Sequence, residues 1–86
     1  MKNTKFKNMQ KITIYTTPTC AYCKMTKAFF KENNVRYEEK DVLENMAAQE
    51  EMVGKSHQLG VPVIDIDGQI IVGFDKKGLS RLLKIK

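Results

Sequence analysis

Cys20 and Cys23 are the only cysteines in the chain, and only Ala21 and Tyr22 separate them. A pair so spaced can exchange electrons with a disulfide. One thiolate attacks a sulfur of the target, and the neighbouring thiol then breaks the mixed disulfide that results. The setting suits this chemistry. Ile12-Thr13-Ile14-Tyr15 ahead of the pair reads as a strand, and Lys24 to Lys31 after it reads as a helix. The first sulfur then falls at a helix N-terminus, where unpaired N–H groups and aligned peptide dipoles favour a thiolate over a thiol.

Two other uses of the pair compete with the redox one. The first is half of a zinc site. A closed structural zinc site takes about four protein ligands, whereas this chain has no second CxxC and a single histidine, His57. No metal ligand is assigned. The second is a structural disulfide, but a loop this short constrains little of the unfolded chain. A redox dithiol fits spacing and position better than either. His57 reads as a polar cap near a helix end, since thiol exchange needs no histidine base.

The elements that must position the pair can be read in order. Lys11 to Tyr15 is the first strand. Pro18 pins the following loop and keeps Thr17 out of helical angles, and Thr19 is expected to cap a helix from Ala21 to Asn33. Met25, Ala28 and Phe29 supply its apolar stripe, with Lys24, Lys27 and Lys31 on the wet side. Val35 to Lys40 reads as a second strand, with Val35 and Tyr37 on one face. A second helix is expected from Glu44 to Lys55, using Leu43, Met46, Ala47 and Met52-Val53 for its apolar face. Gly60 to Ile66 leads into a third strand. Asp67-Gly68 is a strong hairpin signal, with Gln69 to Val72 returning antiparallel. Asp75 is placed to cap a last helix, Lys76 to Ile85, with Leu79, Leu82 and Leu83 inward and Arg81 and Lys84 outward. The order is β-α-β-α-β-β-α, an α/β fold in which a small four-stranded mixed sheet is flanked by three helices.

Size and charge bound the rest. At 86 residues the chain makes one domain with a modest core. Its formal charge is +5, but only two basic residues, Arg36 and Arg81, are arginine, and the lysines are spread along the chain. Nucleic-acid modules concentrate such charge and read bases mostly with arginine, so no nucleic-acid partner is expected. The charge instead suits a solvated surface that attracts acidic partners. Residues 1–10 form a basic extension, expected to be partly disordered, ahead of a domain over 11–86. The extension lacks the apolar run of a signal peptide, and no segment reaches the length of a membrane span. A cytoplasmic monomer with no membrane association is the expectation.

The chain resembles the glutaredoxin family of the thioredoxin-like superfamily. The resemblance runs from Lys11 to the C-terminus and is closest to small prokaryotic glutaredoxin-like proteins. It rests on Ile14-Tyr15-Thr16, Cys20-Ala21-Tyr22-Cys23, Val61-Pro62, Asp67-Gly68 and Gly73-Phe74-Asp75 in this order and spacing. It implies a thioredoxin-like (glutaredoxin) fold and a dithiol–disulfide oxidoreductase, with Cys20 as attacking thiolate and Cys23 as resolving thiol. Tyr22 would shape the surface beside them. Pro62 would be cis, setting the Val61 main chain opposite the sulfurs to pair with a bound glutathione or peptide. Gly73, Phe74 and Asp75 would form the amide-rich turn that holds a glutathione carboxylate.

The implied partners are protein disulfides and, as reductant, either glutathione or a thioredoxin-reductase-type flavoprotein. Glutathione would be a co-substrate and no cofactor would be bound. The alternative that the resemblance raises is a glutathione-dependent [2Fe–2S] carrier. Several positions depart from the family pattern. Ala21 replaces a proline, Thr17 a lysine, Gly60 a threonine, His57 a glycine, and Phe74 a glycine or cysteine. Ile71-Val72 stands where reductase-linked relatives have Trp-Ser. Thr17 therefore belongs to the expected thiolate environment without a charge, and Lys24 and Lys27 supply positive potential instead.

Overall fold

The computed structural model describes residues 11–84. The expected extension over 1–10 and the expected last residue of the final helix, Ile85, lie outside them. Within them the chain runs β1 (Ile12–Thr16), α1 (Ala21–Glu32), β2 (Glu38–Asp41), α2 (Met46–Ser56), β3 (Val63–Ile66), β4 (Gln69–Val72) and α3 (Lys76–Leu83). The sheet order is β2-β1-β3-β4. β1 pairs parallel with β2 and antiparallel with β3, and β3 pairs antiparallel with β4. This is the expected order and the expected mixed sheet.

β1 is central and every one of its residues is buried. Its alternation feeds two cores, because successive side chains point to opposite faces. Ile12 and Ile14 join Ile64 and Ile66 of β3 against Phe29 and Phe30 of α1 and Leu79 and Leu83 of α3. On the other face Tyr15 and Val63 pack with Val42 and with Ala48 and Met52 of α2. The sheet is thus sandwiched, with α1 and α3 on one side and α2 on the other.

Several expectations are corrected. The buried stripe of α1 is Cys23, Thr26, Phe29 and Phe30, while Met25 and Ala28 are exposed. The two phenylalanines fix the helix's rotation, which swings Met25 outward. The cap of α1 is Cys20, not Thr19. Val35 and Tyr37 precede β2 and pack against the first core; pairing starts only at Glu38, opposite Thr13. Leu43 and Met46 are exposed at 68% and 71%, so α2 rests on buried Ala48 and Met52 with partly buried Val53 beside them. Its cap is Asn45, whose side chain accepts from the Ala48 amide at 3.0 Å. His57 ends α2 with φ of +63°, the left-handed conformation that usually favours glycine. Asp67 and Gly68 both have positive φ, as a tight I′ hairpin requires. Asp75 caps α3 as expected, accepting from the Gly78 amide at 3.0 Å. Gly78 matters here, because a Cβ on it would lie 2.6 Å from the Asp75 carboxylate.

One ion pair ties the second layer to the sheet. Lys55 of α2 donates to Asp65 of β3 at 2.6 Å and to the Tyr15 hydroxyl at 2.9 Å. Burial raises the Asp65 carboxyl's pKa, but the Lys55 ammonium and the Gly68 amide outweigh it and hold it below the ordinary value. Asp65→Asn is expected to cost about 1–2 kcal/mol, the smaller figure if water screens the exposed side of Lys55. The sign with pH follows. A depressed carboxyl stabilises the fold above its unfolded pKa, and that stability is lost as pH falls through the folded value. Urea melts should therefore separate the wild type from the variant at about pH 7 and bring them together below about pH 3.

Candidate functional site

Three strand termini meet at one end of the sheet. The C-terminus of β1 delivers Cys20, the approach to β3 carries Val61-Pro62, and the C-terminus of β4 carries Gly73. Ligand sites of open α/β sheets favour this position. Each segment is held by main-chain bonds rather than by packing alone.

After β1 the chain turns through Thr17-Pro18-Thr19, closed by the Cys20 amide donating to the Thr17 carbonyl at 3.3 Å. Cys20 then takes an extended conformation, and its sulfur accepts the Cys23 amide at 3.0 Å. The sulfur occupies the place of an N-capping oxygen and receives an otherwise orphan donor of the first helical turn. Both cysteines are free thiols; Cys20 is half-buried and Cys23 is 1% exposed. The Cys23 thiol is pushed up to about 12, first by burial and then by its bond with Cys20. The Thr17 main chain and the Lys27 charge pull it partly back. The two sulfurs therefore differ in kind, one partly exposed and capping the helix, the other shielded and protonated.

The facing wall is Val61-Pro62. Their peptide bond is cis, as the resemblance implied, and Pro62 is fully buried. The Pro62 carbonyl accepts the Gly73 amide at 2.8 Å, which fastens the third segment to the second. Gly73 has φ of +83°, a conformation that suits glycine. Tyr22 projects from the start of α1 and is 61% exposed. Lys24 is exposed, and Thr17 is half-buried in the turn.

Two expected ligand-holding residues have other partners. Phe74 is half-buried, its ring edge-on to Phe29 with centroids 5.9 Å apart. The Asp75 carboxylate is engaged in capping α3. Two further residues, Gln58 and Glu39, were not singled out from sequence. Gln58 clips the loop before Val61, donating to the Gly60 carbonyl at 3.0 Å and accepting the Gly60 amide at 2.9 Å. A Cβ at position 60 would meet the Gln58 oxygen at 2.8 Å, so Gly60 and Gln58 belong together. Thr16, 1% exposed, donates to Glu39 at 2.8 Å, and Lys27 donates to the same oxygen at 2.9 Å. Among the described residues no three or more His, Cys, Asp or Glu side chains group so as to hold a metal ion, and no helix is long and apolar enough to cross a membrane.

The family model described as glutaredoxin matches residues 12–71. A glutaredoxin-like 8.6 kDa protein from the rubredoxin operon of Clostridium pasteurianum is 48% identical over 73 residues, covering 85% of this chain and 97% of that one. Glutaredoxin 3 of Escherichia coli is 39% identical over 83 residues, covering 88% of this chain and all of its own. Among solved structures, the glutaredoxin-like NrdH-redoxin of Escherichia coli, described as having a thioredoxin-like activity profile, aligns with a TM-score of 0.76. It is 26% identical, over 84% of this chain and 93% of that one.

The contrast between the sulfurs can be measured directly. Brief treatment with iodoacetamide near neutral pH is expected to label Cys20 at least about tenfold faster than Cys23, read by peptide mass mapping. Equal labelling would mean that Cys23 is not shielded as described.

Proposed function

This chain belongs to the glutaredoxin family and is a thiol–disulfide oxidoreductase, and we propose that Cys20 attacks and Cys23 resolves. The observation that carries this assignment is the Cys23 amide on the Cys20 sulfur, with the Cys23 sulfur buried behind it. The Cys20 thiolate attacks one sulfur of a substrate disulfide, forms a mixed disulfide and expels the first substrate thiolate. Cys23 then loses its proton and attacks the Cys20 sulfur. The Cys20–Cys23 bond forms as the mixed disulfide breaks, and the electron pair leaves on the second substrate thiolate. Proximity drives the second step, since Cys23 needs no diffusion to reach its target. The substrate lies across Tyr22, against the Val61 main chain, and towards the turn at Gly73, Phe74 and Asp75. Thr17 and Lys24 flank the reacting sulfur.

Glutaredoxins use glutathione as reductant and act on protein disulfides. Glutathione is the first candidate to reset the oxidised pair. A thioredoxin-reductase-type flavoprotein is the second, and three observations favour it. Thr17 brings no charge where glutathione users have lysine, the Phe74 ring is turned to Phe29, and the Asp75 carboxylate is held in a cap. We place the active domain over 11–86, with 1–10 as an extension outside the chemistry.

A coupled assay tests both levels. NADPH is supplied either with glutathione and its reductase or with thioredoxin reductase alone, and a protein disulfide serves as substrate. Cys20→Ser is expected to abolish turnover in both arms, and survival of activity would overturn the assignment. Cys23→Ser is expected to abolish the thioredoxin reductase arm and to leave only reactions that pass through a glutathione mixed disulfide. Turnover of the wild type with thioredoxin reductase alone would exclude glutathione as the required donor.

A further inference from the structure

The resolving step has an electrostatic difficulty that Cys20 does not share. Cys23 must become a thiolate while 1% exposed, with burial and its bond with Cys20 opposing the charge and the Thr17 main chain only partly favouring it. Burial of that charge is costly unless something nearby compensates.

The α1-facing side of the sheet supplies a candidate. Ile12, Ile14 and Thr16 alternate onto that face, and the last of them is a threonine with 1% exposure. Its hydroxyl is satisfied by Glu39 of β2 at 2.8 Å. Glu39 stands opposite Ile14 in the parallel register, so it too points towards α1. The same carboxylate oxygen takes Lys27 of α1 at 2.9 Å. Lys27 is one helical turn beyond Cys23, the spacing at which side chains share a face. Lys27 and Cys23 each feel the other's charge. The remaining groups around this set are the Cys20 sulfur and Thr17 main chain beside Cys23, Tyr37 near Lys27, and Lys31 near Glu39.

We propose that Lys27, tethered by the Thr16-anchored Glu39 carboxylate, is the positioning residue whose ammonium stabilises the Cys23 thiolate during resolution. The inference rests on Cys23 being the resolving thiol. In that step the Cys23 proton passes through solvent to the departing substrate thiolate, and Lys27 keeps its own. Lys27 acts through charge alone and touches neither substrate nor the breaking bond. Glu39 has two opposed effects: it holds the ammonium in place and offsets part of its charge.

This opposition makes the inference testable. A symmetrical nitrobenzoate disulfide releases one coloured thiolate when Cys20 attacks and a second when Cys23 resolves, so stopped-flow absorbance separates the steps. Lys27→Met is expected to slow the second release by about five- to tenfold at neutral pH and to shift its pH profile upward, relative to the first release. Lys27→Arg keeps the charge and is expected to restore the second phase. Glu39→Gln keeps an acceptor oxygen for Thr16 and Lys27 but removes the negative charge, so it should speed the second release and shift its profile downward. A merely structural pair would slow both phases, or move Lys27→Met and Glu39→Gln the same way. Either result overturns the inference, as does a Lys27→Met profile that superposes on the wild type. Absence of a second release from the wild type would instead remove the assignment of Cys23 itself.

Discussion

β1 is hydrogen-bonded along both edges and covered on both faces, so each of its five residues is constrained from several sides. Its two isoleucines belong to one core and its tyrosine to the other. A strand in this position fixes the relative placement of the three helices, because each packs against a face that β1 shares. It also fixes where the chain emerges at Thr16. The turn that carries Cys20 begins at that point, so the geometry of Cys20 inherits the rigidity of a fully buried strand. A site built on such an element is held more tightly than one hung on a free loop.

The site itself is made mostly of main chain. An amide reaches the Cys20 sulfur, a carbonyl of Pro62 takes the Gly73 amide, and Gln58 closes on both polar groups of Gly60. Few side chains are needed to define the groove, which leaves its rim open to variation. Exposed Tyr22, Leu59 and Val72 lie at this end of the sheet. Thr17 and Phe74 can therefore differ from the family pattern without changing the main-chain contacts that hold the sulfurs.

Much of this was legible in the sequence because the signals were local. Asp67-Gly68 fixed the hairpin, and β4 has its expected limits of Gln69 and Val72. Cys20-x-x-Cys23 between a strand and a helix placed the first sulfur at the start of α1, where it lies. Errors arose where tertiary packing chose among local options. Val35 and Tyr37 have strand-forming side chains, yet they serve the core before β2 begins, since Tyr37 packs on Phe30 with ring centroids 5.2 Å apart. Met25 looked internal, but the helix turns on Phe29 and Phe30. Thr19 has a good capping hydroxyl, but the next residue's sulfur takes the amide. Glu39 could not be placed without the parallel register, because only that register sets it beside Thr16 and Lys27.

The Cys20 sulfur caps a helix and is also the proposed nucleophile, and this joins two properties usually measured apart. In the dithiol it accepts the Cys23 amide at the first turn of α1; as half of a disulfide it is a poorer acceptor for that amide. The reduced protein therefore gains folding free energy that the oxidised protein lacks. By thermodynamic reciprocity the same amount of free energy makes the dithiol a weaker electron donor. Redox poise and resistance to unfolding thus share one contact, and a change to that contact moves both.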